Sequence, residues 1–302
     1  MKILVTGGAG FIGSHIVDKL VDQHEVIVVD NLSTGKLNNV NSKATFFNMD
    51  ISSNEIEKLF PIDVIIHQAA QVDVSKSILD PVFDAQVNII GGLKLLELAR
   101  KYNSKFIYGN SGGATIGEAE YYPVDEKHPK NPLVPYGLSK LTFQKYLELY
   151  SKLFNLKYVS LNYANVYGPR QDPFGEGGVV AIFANKVSKN ENPIIFGDGK
   201  QTRDFVYVED VANANVMAID WNNNSLNVST GIETSLLDLI QVYKEISKKE
   251  ITSEFKDPRK GDIFRSVLDC KKIKSLGWNN LTSLNKGIKK TFEWVENENR
   301  SS

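Results

Sequence analysis

Short, wholly apolar runs alternate with stretches of helical spacing along the first half of the chain, the pattern of a parallel sheet buried on both faces. Residues 3–5, 26–29, 44–49, 63–67, 105–108 and 158–163 read as strands, and residues 14–21 as a helix between the first two. Two later helices, 87–100 and 137–154, are apolar on more than one side. Leu93, Leu95, Leu96, Leu98 and Ala99 mark the first; Leu138, Leu141, Phe143, Tyr146, Leu147, Leu149, Tyr150 and Leu153 mark the second. One side of a helix suffices to cover a sheet, so the second sides need another partner. That requirement predicts a homodimer through the helices near 88–100 and 137–154, the alternative being cover from the C-terminal part of the chain. Beyond residue 168 the rhythm loosens into short strands at 194–196, 205–208 and 226–229 and helices at 179–190, 211–221, 236–248 and 284–298.

The first βαβ unit carries glycines where a ligand would need them. Gly7, Gly8, Gly10 and Gly13 fit both Gly-x-Gly-x-x-Gly and Gly-x-x-Gly-x-x-Gly, between a strand and a helix, and Asp30 ends the second strand. Such a turn lets backbone N–H groups approach a pyrophosphate at a helix N-terminus, and the acid can accept from both ribose hydroxyls. Asn31, Leu32 and Ser33 bring no cation beside Asp30, which favours NAD over NADP. The fold class expected is α/β: a doubly wound parallel Rossmann sheet with a smaller mixed α/β C-terminal lobe. Residues 1–168 form the NAD-binding domain and 169–302 the lobe, with strands near 205–230 returning to the first. Asp50 and Ile51 then lie at the end of the third strand, where an adenine could rest, although Ser52 or Ser53 could equally need Asp50 as a helix cap. Ala69 and Ala70 end the fourth strand, small either for the cofactor or for packing.

Composition narrows the ligand class. The 35 Lys and Arg almost balance 36 Asp and Glu, without a long basic run, so nucleic acid is not an expected partner. The single Cys270 excludes an internal disulfide framework and reads as a small buried apolar group. No apolar run reaches membrane-spanning length, and a first strand at residue 2 leaves no room for a signal peptide, so a cytoplasmic location is expected. No metal site is expected.

Tyr136 and Lys140 stand one helical turn apart and project from one face. A free phenol, with a pKa of about 10, is a poor base at neutral pH. A nearby ammonium, aided by a nicotinamide cation, is expected to lower it.

These motifs resemble the extended short-chain dehydrogenase/reductase family and, within it, the UDP-glucose 4-epimerases, over almost the whole chain. The marks are residues 6–13, 30–32, the Tyr136/Lys140 pair, Asn165-Val166-Tyr167-Gly168-Pro169-Arg170, Phe196-Gly197-Asp198-Gly199, Arg203-Asp204-Phe205-Val206-Tyr207-Val208 and Arg259-Lys260-Gly261-Asp262. The resemblance implies that Tyr136 takes the proton from a sugar 4-hydroxyl while NAD takes hydride, and that a 4-keto sugar turns over before hydride returns. It implies cofactor contacts from Gly7, Gly10, Phe11, Ile12, Gly13, Asp30, Asn31, Asp50, Ile51, Ala69, Ala70, Asn88, Tyr136, Lys140 and Tyr163. Arg203 and Arg259 resemble diphosphate anchors, Asp262 the acid on the uridine ribose and Phe196 a uracil wall. Asn165, Gly178 and Val179 resemble further contacts to the UDP-sugar.

The chain departs from that pattern in the loop after the fifth strand. The position that usually carries a Ser or Thr beside the sugar 4-oxygen is Gly112, which leaves Ser111, or else Thr115, to supply the hydroxyl. Ile116 and Asn162 replace a common Tyr and Arg. Gly113-Ala114 replaces the Asp-Glu pair of dehydratases, which disfavours loss of water. Ser266 stands where members restricted to non-acetylated sugars carry a bulky Tyr, so turnover of N-acetylated UDP-sugars is expected too. The competing readings are a UDP-uronate epimerase or decarboxylase, a 4-keto sugar reductase, and a non-catalytic NAD-binding protein.

Overall fold

A computed structural model describes residues 1–174, 178–258 and 263–301. In chain order the strands are β1 (Lys2–Thr6), β2 (Glu25–Asp30), β3 (Thr45–Asn48), β4 (Val64–His67), β5 (Lys105–Ser111), β6 (Tyr158–Tyr163), β7 (Asn165–Tyr167), β8 (Ile194–Phe196), β9 (Thr202–Arg203), β10 (Phe205–Tyr207), β11 (Asn224–Val228), β12 (Thr234–Ser235), β13 (Glu254–Lys256) and β14 (Arg265–Ser266). Seven of them make one parallel sheet in the order β3-β2-β1-β4-β5-β6-β11. The order reverses between β1 and β4, and a crevice opens at their carboxyl ends.

The helices are α1 (Phe11–Leu20), α2 (Val74–Leu79), α3 (Pro81–Ala85), α4 (Gly92–Tyr102), α5 (Pro135–Phe154), α6 (Val179–Ser188), α7 (Val208–Met217), α8 (Leu236–Ser247), α9 (Lys271–Ser275) and α10 (Leu284–Ser301). Alternation along each strand sends side chains to opposite faces. Ile3 and Val5 thus pack with Ile16, Val17 and Val211 of α1 and α7, whereas Leu4 packs with Leu95, Phe143 and Leu147 of α4 and α5. A separate apolar cluster joins α6, α8 and α10, with Ile288, Phe292 and Val295 on one side of α10 as their spacing predicts.

Three boundaries depart from the sequence reading. α1 begins three residues early because Gly10, extended at φ −79° and ψ 179°, serves as its cap. α7 begins at Val208, directly after β10. The helix expected over 87–100 is a π-helical turn at Gln86–Gly91 followed by α4. That widened turn coincides with Asn88, whose buried amide accepts from Gln71 N at 2.9 Å and donates to Gln71 O at 3.0 Å. A side chain that must bond a neighbouring main chain, rather than merely pack, overrides the regular spacing of its helix. Among the described residues no helix is long and apolar enough to cross a membrane.

Candidate active site

The glycine turn is built by close approach. Gly7 sits at φ +70°, and a Cβ there would lie 2.6 Å from the N of Ala69 at the end of β4. A Cβ on Gly13 would lie 2.1 Å from Gly7 O, so only glycine lets α1 close onto the turn. No side chain caps α1, leaving its N-terminus as a bare set of N–H donors beside Phe11 and Ile12. Asp30 is buried and accepts from Ala9 N at 3.0 Å and Leu32 N at 2.8 Å, one bond to each oxygen. Each oxygen keeps a further lone pair for an outside hydroxyl. Asn31 donates to Asp50 at 3.0 Å, and Asp50 also accepts from Ser52 N at 2.8 Å, so it shapes its turn as well as facing the crevice. Ile51 is buried beside Gly91. A cradle that a Cβ would fill, a bare helix N-terminus and a spare-valence carboxylate together fit NAD.

Tyr136 and Lys140 enter from the first turns of α5, and Ser111 from the end of β5. The Ser111 side chain acts on the Tyr136 phenol in favour of its charged form. Burial nevertheless pushes that phenol up to about 12, and Ser111 only partly offsets it. The expected lowering by Lys140 is not what this structure has. Lys140 is itself buried, drawn down to about 7, and donates to Gly109 O at 2.6 Å above the Tyr108 ring. Desolvation acts on both groups against their charged forms, and the ammonium faces a carbonyl rather than the phenol. His67 beside it is held neutral, down to about 3, by burial and then by the Lys140 charge.

A Cβ on Gly112 would meet Leu268 Cδ1 at 2.4 Å and Tyr163 O at 2.9 Å, so a side chain there has no room. Thr115 is buried with its hydroxyl donated to Ser111 O at 2.8 Å, whereas Ser111 Oγ accepts from Ala114 N at 3.2 Å and acts on the Tyr136 phenol. Asn110, absent from the sequence reading, accepts from Ser111 N at 2.9 Å and so sets the loop's start. Asp84 was also missed. Its position four residues before Asn88 was the available signal, since Asn88 donates to it at 3.0 Å.

Other predicted contacts are distributed unevenly. Ala69 N donates to Thr6 Oγ1 at 3.4 Å at the crevice floor, with Ala70 next in the chain. Asn88 spends its amide on Gln71, Asp84 and Ser139. Tyr163 turns its phenol away, to Gln68 and Asn215, at 3.0 and 2.9 Å. Across the crevice, Asn165 opens β7, Gly178 caps α6 ahead of Val179, and Phe196 closes β8. Arg203 of β9 stands in register with Ser266 of β14, bringing these two together. The neighbouring Asp204 is buried and accepts from Thr230 N, Thr230 Oγ1 and Gly231 N within 2.6–2.9 Å. Arg259 and Asp262 lie outside the described residues. A small cleft of about 20 Å³, lined in part by Gly112, Gly113, Tyr122, Ser266 and Leu268, runs between the β5–α5 loop and β14. No group of three or more His, Cys, Asp or Glu suited to a metal occurs among the described residues.

A family model described as the NAD dependent epimerase/dehydratase family matches residues 3–229. A Mycolicibacterium smegmatis protein named UDP-glucose 4-epimerase is 41% identical over 99% of this chain and 100% of its own length. The crystal structure of a Thermotoga maritima UDP-glucose 4-epimerase with UDP-glucose superposes with a TM-score of 0.96 at 45% identity, over 99% of both chains. A UDP-N-acetylglucosamine 4-epimerase from Methanobrevibacter ruminantium, in complex with UDP-N-acetylmuramic acid, superposes with a TM-score of 0.95 at 33% identity, over 98% of both.

Proposed function

The chain belongs to the NAD dependent epimerase/dehydratase family, and from that premise we propose that it inverts C4 of a UDP-hexose through a 4-keto intermediate. The observation that carries the reading is the Tyr136 phenol in the first turn of α5, within the influence of the Ser111 side chain and one helical turn from a buried Lys140, beyond the end of the sheet. NAD supplies the redox step at C4 when bound. Tyr136 moves the proton at the sugar 4-oxygen, with Ser111 holding the same oxygen and the phenol in line. Gly7, Gly10, Phe11, Ile12 and Gly13 hold the pyrophosphate; Asp30 and Lys140 hold the two riboses; Asp50 and Ile51 border the adenine. Arg203 and Arg259 clamp the diphosphate of the substrate, with Asn165, Gly178, Val179, Phe196 and Asp262 around the nucleotide.

Residues 1–168, completed by β11, serve as the NAD domain, and 169–302 as the UDP-sugar lobe. Ser266 is small, and its Oγ stands 3.7 Å from where a Gly113 Cβ would be, beside that cleft. The small side chain, in place of a bulky one, supports acceptance of N-acetylated sugars. The turn before α4 and the outer side of α5 support a homodimer, because Ile90 in the one and Leu138, Leu149 and Leu153 on the other are exposed rather than covered by the C-terminal lobe.

The test is proton NMR of the purified protein with UDP-galactose and, separately, UDP-N-acetylgalactosamine, without added cofactor. Both are expected to equilibrate with their gluco epimers. Absence of turnover even with NAD supplied would sink the reading. Tyr136→Phe should lower kcat by about 10²–10⁴-fold, the usual contribution of a positioned acid-base group. Ser266→Tyr should remove turnover of the N-acetylated sugar and keep that of UDP-galactose.

A further inference from the structure

Asp84 is a buried carboxylate to which the chemistry above gives no part. It lies on α3, which packs against α5, and is 1% exposed. Its Oδ1 accepts from Gln71 Nε2 at 2.9 Å and from Asn88 Nδ2 at 3.0 Å. The same Asn88 amide donates to Ser139 Oγ at 3.2 Å, and Ser139 Oγ donates to the Tyr136 carbonyl at 2.9 Å. Three hydrogen bonds therefore lead from the carboxylate to the turn of α5 that carries the phenol.

The charged surroundings point the same way. Beside Lys140 stand His67 from β4 and Tyr108 from β5, with Tyr136 on its own helix, and the charge of Asp84 acts on it from α3, the helix packed against α5. His67 is neutral and burial keeps the Tyr108 phenol protonated. Asp84 is thus the negative charge that acts on Lys140 among the described residues, and it acts on Tyr136 as well. We propose that Asp84 is a positioning residue of the reaction: through Asn88 and Ser139 its carboxylate fixes the turn of α5 that presents Tyr136 and Lys140, and from that place its charge bears on the Lys140 ammonium. Without the Asp84 charge the ammonium, already drawn down to about 7, would shed its proton below neutral pH and lose its three donors. The consequence for turnover rests on the epimerase reading; the charge pairing does not.

The test is therefore read twice. The Cε resonance of Lys140 in protein carrying ¹³C-labelled lysine, identified by its disappearance in Lys140→Met, is titrated in the wild type and in Asp84→Asn. Asn keeps an acceptor for Gln71 and Asn88 and removes the charge. The titration midpoint should fall by about one pH unit, a tenfold change in the protonation ratio. In turnover of UDP-galactose, both limbs of the kcat profile should move toward acid by a similar amount. The charge had been raising the proton affinity of both groups, so its removal lowers both. KM should stay within about twofold, as for a group that does not touch substrate. Asp84→Ser is the second variant should Asp84→Asn fail to fold. An unchanged Lys140 midpoint in either folded variant overturns the proposal, as does a kcat lowered equally at every pH. A displaced midpoint in a protein that turns over no UDP-hexose upholds the pairing and rejects the function.

Discussion

At the scale of single residues, the site is governed by what burial does to protons and to Cβ atoms. His67 illustrates the first. Its ring lies among Phe106, Tyr108 and Phe143, bonded to Thr6 Oγ1 at 2.7 Å, and it is held at about 3 against an ordinary 6.5. Between those values the unfolded chain binds a proton that the folded one does not. Its contribution is therefore full above about pH 6.5 and is lost as pH falls toward 3. Urea unfolding at pH 7, 5.5 and 4.5 should show stability dropping less steeply in His67→Asn than in the wild type. Gly112 illustrates the second effect. Gly112→Ser should cost about 1–3 kcal/mol, the usual range for overpacking, because Leu268 and the Tyr163 carbonyl occupy the space. Leu268→Ala in the same chain should recover part of that in the urea midpoint. The sequence makes Tyr136, Lys140 and the glycines legible because their spacing is itself the signal. It cannot show that Gly112 is a packing requirement imposed by a residue 156 positions later, since 268 − 112 = 156. Nor can it show that Lys140 faces Gly109 O, because direction within a helix turn depends on neighbours from other elements.

At the scale of elements, apolar periodicity identified α4 and α5, and the exposed apolar side of α5 raises the next question. Leu149 and Leu153 lie one turn apart on α5 and are 44% and 62% exposed. Leu149→Lys with Leu153→Lys places two charges on that stripe; light scattering should show a dimer for the wild type and a monomer for this variant. A wild type that is itself monomeric would remove the interface. The boundaries were harder to read than the elements for a physical reason. α1 starts on a glycine that caps without a side chain, and the turn at Gln86–Gly91 is widened around a polar contact, neither of which leaves a mark in hydrophobic spacing. Gly13→Ala tests the α1 junction directly. With its Cβ 2.1 Å from Gly7 O, the helix must move off the turn, and NAD retention after purification should weaken by at least about tenfold, which ~1.4 kcal/mol suffices to produce.

At the scale of the whole molecule, the sheet is not contiguous in the chain. The first six strands follow one another as their apolar runs indicate, but the edge beside β6 is supplied by β11, after β7 to β10 have been laid down elsewhere. Of the strands expected to return near 205–230, β11 pairs with β6 in the main sheet, whereas β10 pairs with β7 outside it. Register between distant strands has no local signature. This ordering has a consequence during synthesis. While the ribosome is still making residues 169–223, β6 presents a bare row of N–H and C=O groups beside an otherwise finished sheet, an edge able to capture another chain's strand. The nascent protein is then most exposed to mispairing when its nucleotide cleft already has its shape, and release from that hazard comes only as Asn224–Val228 emerges.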